Sequence, residues 1–357
     1  MRLRIKNAAL GVVVIALATM GIAWGGLTAG ASSGPVNKAS AMKSWVVGVS
    51  NGYYGNAARV EFQAVLKAYA ATSSVKPHIK QLIINNAGTS VAAQISAVDT
   101  MIAEHVNLII LDSNSLTGLN STIAQAHKAG IVVVTANDLV TSPLVYSIET
   151  ANANFGAIMA KAFVAKLHGH GNIVVMRGIA GNAVDAAEAQ GFNSVFKKYP
   201  GIHVLATVYP AWDDAMAQTD MAALLSRYNN INGVFTEGGM EQGVVRAYVA
   251  AHRPFVPVSG TDENGFACQL KQYQSQGLQG PQVTDGIYMY ALALKVGLGV
   301  LGGAKEPRST PVSWVGLSTA QSIKACNPKL SPGLFLTVAD PSQGINVTDS
   351  QVNKYIK

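Results

Sequence analysis

The sequence predicts an α/β protein of two Rossmann-like, doubly wound lobes, and two observations lead there. Short apolar runs bounded by turns recur along the chain with helical stretches between them, the pattern of strands buried on both faces of a parallel sheet. The pattern is interrupted near Thr141–Ala153, where Pro143 and polar residues intervene, and then begins again. Two βα ladders of similar size make two lobes.

The first forty-one residues are read as a leader rather than as structure. Arg2, Arg4 and Lys6 precede an uncharged stretch from Ala8 to Ala29, and small-residue cleavage patterns occur at Ala29-Gly30-Ala31 and Ala39-Ser40-Ala41. A signal peptide and export are expected, with an uncleaved anchor as the alternative because the apolar run is long. No cysteine follows the run, so lipid attachment there is excluded.

In the first ladder the strands are Val46–Val49, Leu82–Ile84, Leu108–Leu111 and Ile131–Val134. In the second they are Ile173–Met176, His203–Val208, Val234–Phe235 and Val256–Val258. Helical faces are marked by Met221, Leu224, Leu225 and Tyr228, and by Ile287, Ala291, Leu294, Leu298 and Leu301. From Ser309 onward the chain reads as extended, Pro- and Gly-rich pieces.

Composition narrows the function. Apolar residues make up 49% of the chain and charged residues 13%, which describes a packed globular protein. The net charge of +7 is spread without a dense basic cluster, so nucleic acid is not an expected partner. Two cysteines, Cys268 and Cys326, are expected to pair in an oxidising compartment, with two unpaired buried thiols as the other reading.

The most informative local feature is the turn Ser50-Asn51-Gly52-Tyr53-Tyr54-Gly55-Asn56 after the first strand. Ligands in α/β proteins sit at the carboxyl edge of the sheet. Paired rings beside Asn51, Asn56 and Arg59 suit a sugar, which has an apolar face and a rim of hydroxyls. Other strand ends carry Asn137-Asp138, Glu237-Gly238-Gly239 and Thr261-Asp262-Glu263-Asn264, while Asn152 lies at the lobe junction and Trp212 precedes the helix start Asp213. Taken singly, each has a capping or turn explanation. Together they put amides, carboxylates and an indole on facing lobe edges.

Competing motifs are weaker. Gly48-Val49-Ser50-Asn51-Gly52 matches the G-x-S-x-G of a serine hydrolase, but no histidine follows His252, where such an enzyme would carry its base. The glycine spacing does not fit dinucleotide binding, and His168-Gly169-His170 lacks a third metal ligand nearby. Neither a metal nor a cofactor is expected.

Several stretches taken in order resemble the periplasmic sugar-binding proteins of the ribose/galactose-binding group, the type I periplasmic binding proteins. They are Val47-Gly48-Val49-Ser50-Asn51-Gly52-Tyr53-Tyr54-Gly55-Asn56 with Arg59, Ala129 to Asn137, Gly178 to Gly181 with Gly191-Phe192, Phe235 to Gly239, and Pro257 to Phe266. The resemblance implies two doubly wound lobes joined by a multi-strand hinge, with the ligand clamped between them. It implies a solute-binding protein that is not an enzyme, works as a monomer and delivers its ligand to an ABC transporter permease; a ligand sensor for a chemoreceptor or histidine kinase is the alternative.

By position, Tyr53, Tyr54, Asn56 and Arg59 match the family's first contact turn, Asn152 its first hinge amide and Trp212 its stacking aromatic. Asn137 stands where the family often has an acid, Asp262 matches the acid after the last strand of the second lobe, and Gln282 a glutamine at the last hinge. With Asp138, Glu237 and Asn264 these form the expected ligand set. The expected division is leader 1–41, first lobe 42–150 plus about 283–306, second lobe 151–282 plus about 307–345, and a tail 346–357. Two departures alter the pocket: Glu188 and Asp138 replace arginines common in the family, which points to a polyol or a charged amino sugar in place of a plain ribose-type sugar.

Overall fold

A computed structural model describes residues 43–356 except 56, 139 and 151, so the leader and Asn56 lie outside the described residues. The first ladder is β1 (Trp45–Asn51), α1 (Ala57–Ala70), β2 (Ile79–Asn86), α2 (Val91–Ala103), β3 (Leu108–Asp112), α3 (Asn120–Lys128), β4 (Val132–Ala136) and β5 (Tyr146–Glu149). The second ladder is α4 (Asn152–Lys166), β6 (His170–Met176), α5 (Ala183–Phe196), β7 (Gly201–Val208), α6 (Asp214–Arg227), β8 (Gly233–Thr236), α7 (Glu241–Ala250), β9 (Gly260–Thr261), α8 (Asn264–Tyr273) and β10 (Gln282–Val283). It is followed by α9 (Met289–Leu301), β11 (Ser309–Pro311), β12 (Gly316–Leu317), α10 (Thr319–Ala325) and α11 (Asp349–Val352).

The first sheet has the order β11-β5-β4-β3-β1-β2 with every pairing parallel. In the second lobe β7-β6-β8 continues through a bridge between Val234 and Val258 toward β9-β10-β12, where β12 is antiparallel. The strand-end crevice of an open sheet falls where the order reverses, beside β1 and β3 in the first lobe and β6 and β8 in the second.

Alternation along β3 explains why both sheet faces are covered. Leu108 and Ile110 join the core under α1 and α9, while Ile109 and Leu111 join that under α2 and α3. In β6, Val174 and Met176 face α6 and α7, and Ile173 and Val175 face α4 and α5. A continuous apolar run is therefore required in each strand.

Three expectations need correction. The segment read as an interruption holds β5, which the polar composition of Tyr146–Glu149 conceals. The strand expected at Val256–Val258 shrinks to a single bridge at Val258, with β9 following it. The extended tail contains a helix, α10, started by a capping box between Ser318 and Gln321.

The tail contributes to both sheets. β11 joins the first sheet, β12 and α10 lie with the second lobe, and Leu334, Phe335, Val338, Ile345, Val347 and Val352 fill the first-lobe core. The strand pairing thus distributes residues 307–345 over both lobes, and the chain passes between them repeatedly. Cys268 and Cys326 are joined as a disulfide that ties α8 to the end of α10. No helix among the described residues is long and apolar enough to cross a membrane.

Candidate functional site

The carboxyl ends of both sheets open on one cleft. An inner cavity of about 90 Å³ and an outer one of about 600 Å³ meet there, and Arg59, Asn137, Asn152, Asn182 and Trp212 line both.

Arg59 begins α1 and is 8% exposed. It forms ion pairs with Asp112 at the end of β3 and, at 2.8 Å, with Asp138. The Asn137 amide, turned with its oxygen to the guanidinium, accepts from both terminal nitrogens at 2.7 and 2.9 Å. Asn137 has φ 69°, a left-handed conformation that asparagine tolerates. Tyr290 supports the group from α9 by donating to Asp112. Arg59 is thus a cation held between two carboxylates at the cleft floor, and Asp138 neutralises it instead of simply adding acceptors to the pocket.

Trp212 follows β7 with φ 55°, preceded by Ala211 at 57°. Two consecutive non-glycine residues in the left-handed region carry backbone strain of the kind found at ligand sites. Asp213 then caps α6, its carboxylate accepting from Ala215 and Met216 N–H at 2.8 Å. The indole lies over Gly178, where an added Cβ would meet the ring at 2.1 Å.

The second-lobe wall is acidic. Glu188, Glu237, Glu263 and Asp285 line the inner cavity, along with Phe62, Phe155, Trp314 and Phe335. Glu237 accepts from the Gly178 N–H at 2.7 Å and lies 3.5 Å from Arg177 Nε. Burial, partly offset by the Gly178 bond, pushes its pKa up to about 9. Burial also raises Glu188 well above the carboxylate range, reinforced by Glu237 and Asp285. Asp285 rises to about 7 through burial and Asp262, against the pull of Arg59. Desolvation disfavours the charged carboxylate, so such groups hold their protons. The wall then offers O–H donors as well as acceptors, as a hydroxyl-rich ligand requires.

Of the expected ligand set, the structure brings Arg59, Asn137, Asn152, Trp212 and Glu237 together in the inner cavity, with Tyr53 and Asp138 in the outer one. Tyr54 is 42% exposed and lines neither cavity. Asp262, Asn264 and Gln282 also line neither cavity, and each makes a hydrogen bond with backbone. Asp262 accepts from the Asp285 N–H at 2.9 Å. Asn264 donates to carbonyls of Asn327, Leu330 and Ser331, holding the loop after α10. Gln282 donates to the Thr261 carbonyl at 2.6 Å inside the sheet.

Sequence reasoning missed Asn182, Glu263, Asp285 and Trp314. Glu263 sits next to the expected Asp262, and strand alternation would have put only one of the two toward the cleft. Asn182 was legible as the N-cap of α5, accepting from Val184 and Asp185 N–H. Ser50, the candidate nucleophile, is fully buried within β1 and its hydroxyl has no hydrogen-bond partner among the described residues, so the elbow geometry is not formed.

This cleft between two parallel sheets belongs to a class of ligand-clamping proteins. Residues 47–297 match the family model for a periplasmic binding protein domain, and the chain belongs to that family, which consists of binding proteins, not enzymes. It is similar to the xylitol-binding protein of Mycolicibacterium smegmatis, 28% identical over 235 residues, or 65% of this chain and 66% of the relative. The chain thus spans just under two thirds of that relative's length. Its fold is similar to that of an ABC transporter solute-binding protein from Thermobispora bispora, with TM-score 0.74 and 22% identity over 82% of this chain and 90% of the other. It is also similar to one from Actinobacillus succinogenes with bound D-allose, with TM-score 0.68 and 22% identity over 79% of this chain and 100% of the other.

Proposed function

We propose that this protein captures a small polyhydroxylated solute, a sugar or polyol, between its lobes and delivers it to the permease of an ABC importer. The observation that carries this reading is the pairing of ring faces (Trp212, Trp314, Phe155) with amides (Asn137, Asn152, Asn182) around one inner cavity at both sheet edges. Rings cover the apolar face of a sugar, and amides can both donate to and accept from its hydroxyls. The xylitol-binding relative and the structure solved with D-allose support the same ligand class.

Closure of the lobes about the crossing strands would bury the ligand and form the surface that the permease reads. The basic and apolar start of the chain acts as a signal peptide, so the protein works in the periplasm, as a monomer. The first lobe is the part built on the six-stranded sheet and the second the part built on β6–β10, β12 and α10.

A thermal-shift screen with pentoses, hexoses and polyols tests the reading. A ligand at a hundred times its Kd stabilises the folded state by about 2.7 kcal/mol. A shift of degrees that disappears in Trp212→Ala is expected; no shift with any member of the panel overturns the reading.

A further inference from the structure

Building on that capture role, we propose that the ligand carries a protonated amine, received by the Glu188 carboxyl with Glu237 and Asp285 beside it. Glu188 is only 6% exposed, lines the inner cavity, and makes no hydrogen bond with another described residue. Its Oε2 is buried with no hydrogen-bond partner among the described residues, and Oε1 of Glu237 has none there beyond its 3.5 Å ion pair with Arg177 Nε. Leaving a buried polar atom unpaired is costly, and a charge more so. A ligand that brings donors to these oxygens removes that cost, and an ammonium group brings three.

The position of Glu188 is built, not incidental. A Cβ on Gly156 would stand 2.2 Å from the Glu188 carbonyl, and one on Gly191 would stand 2.0 Å from the Ala153 carbonyl. Helices α4 and α5 therefore touch backbone to backbone, which fixes the Glu188 side chain at the cavity wall. Charge complementarity agrees: four carboxyl groups line the inner cavity against one cationic side chain among the described residues, Arg59, itself paired with Asp112 and Asp138. A metal ion is a poorer match, because no group of three or more His, Cys, Asp or Glu among the described residues is placed to hold one.

Burial, reinforced by Asp185 and, at Glu188, by Asp285, favours the protonated forms of Glu188 and Glu237, while Arg177 opposes it at both. An arriving ammonium favours the carboxylate, so a proton passes from the wall to the buffer as the ligand binds.

Calorimetric titration of the mature protein with matched pairs tests this: 1-amino-1-deoxyxylitol against xylitol, glucosamine against glucose, and galactosamine against galactose. At pH 6.5, where the amines arrive protonated, at least one is expected to bind tenfold or more tightly than its neutral partner. Its apparent enthalpy should differ between two buffers of different ionisation enthalpy, reporting the released proton. Glu188→Gln should abolish the preference for the amine over its neutral partner. Neutral members binding as well as the amines would overturn the amine assignment and leave sugar or polyol capture standing. An amine preference that survives in Glu188→Gln would overturn the role of Glu188, with the wild-type proton release checking the same point without a variant. Binding by neither series would overturn both readings.

Discussion

The Trp212 indole rests on the backbone of Gly178, and there is no room for a methyl group between them. Gly178 also donates its N–H to Glu237, so one residue positions both a ring and a carboxyl of the cleft. Gly178→Ala is expected to displace the indole and lower ligand affinity tenfold or more, about 1.4 kcal/mol. Titration of the variant against Trp212→Ala checks this. Equal losses in the two variants would show that the glycine acts through the ring, whereas wild-type affinity in Gly178→Ala would refute the coupling.

Arg59 is expected to matter for stability as well as for binding. Removing it leaves Asp112, which is 1% exposed, as a buried carboxylate without its cation. Breaking one side of a buried pair costs about 3–5 kcal/mol. Arg59→Met should therefore lower the urea midpoint markedly, and a second substitution, Asp112→Asn, should recover part of the loss. Unchanged denaturant midpoints in both variants would contradict the buried-pair account.

Ligand-free protein should become less stable as pH rises from about 5 to 9. Burial raises Asp262 to about 6, Asp285 and Glu241 to about 7, and Glu237 to about 9. In the unfolded chain carboxyl groups titrate near about 4. The folded state thus binds the extra protons, so its advantage is complete below about pH 4 and is lost as pH passes through the folded values. Thermal melts across this range should show Tm falling, and Glu237→Gln should flatten the part of the fall near pH 9. A Tm that rises with pH would reverse the assignment.

Reduction of the disulfide between Cys268 and Cys326 should destabilise the second lobe by about 2–4 kcal/mol, since the bridge closes a loop with a sequence separation of 58. Melting with and without a thiol reductant reads this directly. A Tm lowered by several degrees, with ligand affinity retained, is the expected result, because neither cysteine lines the cleft.

Where local pattern sets the structure, the sequence was readable. β1, β3, β4 and β6 are continuous apolar runs because helices cover both faces, and Asp213 announces the start of α6 by its type and place. β5 escaped because it lies between β4 and the three-residue β11, where Tyr146 and Ser147 are only half-buried and can be polar. At the site, Arg59, Asn137 and Trp212 lie in the segments just after β1, β4 and β7 and could be named in advance. Asp285 and Trp314 could not, since they reach the cleft only when the late crossings bring them there. The pairing of Asp138 with Arg59 was equally hidden, because its partner lies seventy-nine positions earlier.

The Phe335 N–H reaches back to the Glu61 carboxylate on α1, across 274 positions of sequence. Glu61 is fully buried, so this late donor answers an acceptor made near the start of the chain. During synthesis the second-lobe strands β6 to β10 are all available before residue 335 exists. The first core therefore lacks its closing segment until late in synthesis. Contacts of such long range slow folding. The half of the first lobe that is made first is thus the half least able to close by itself.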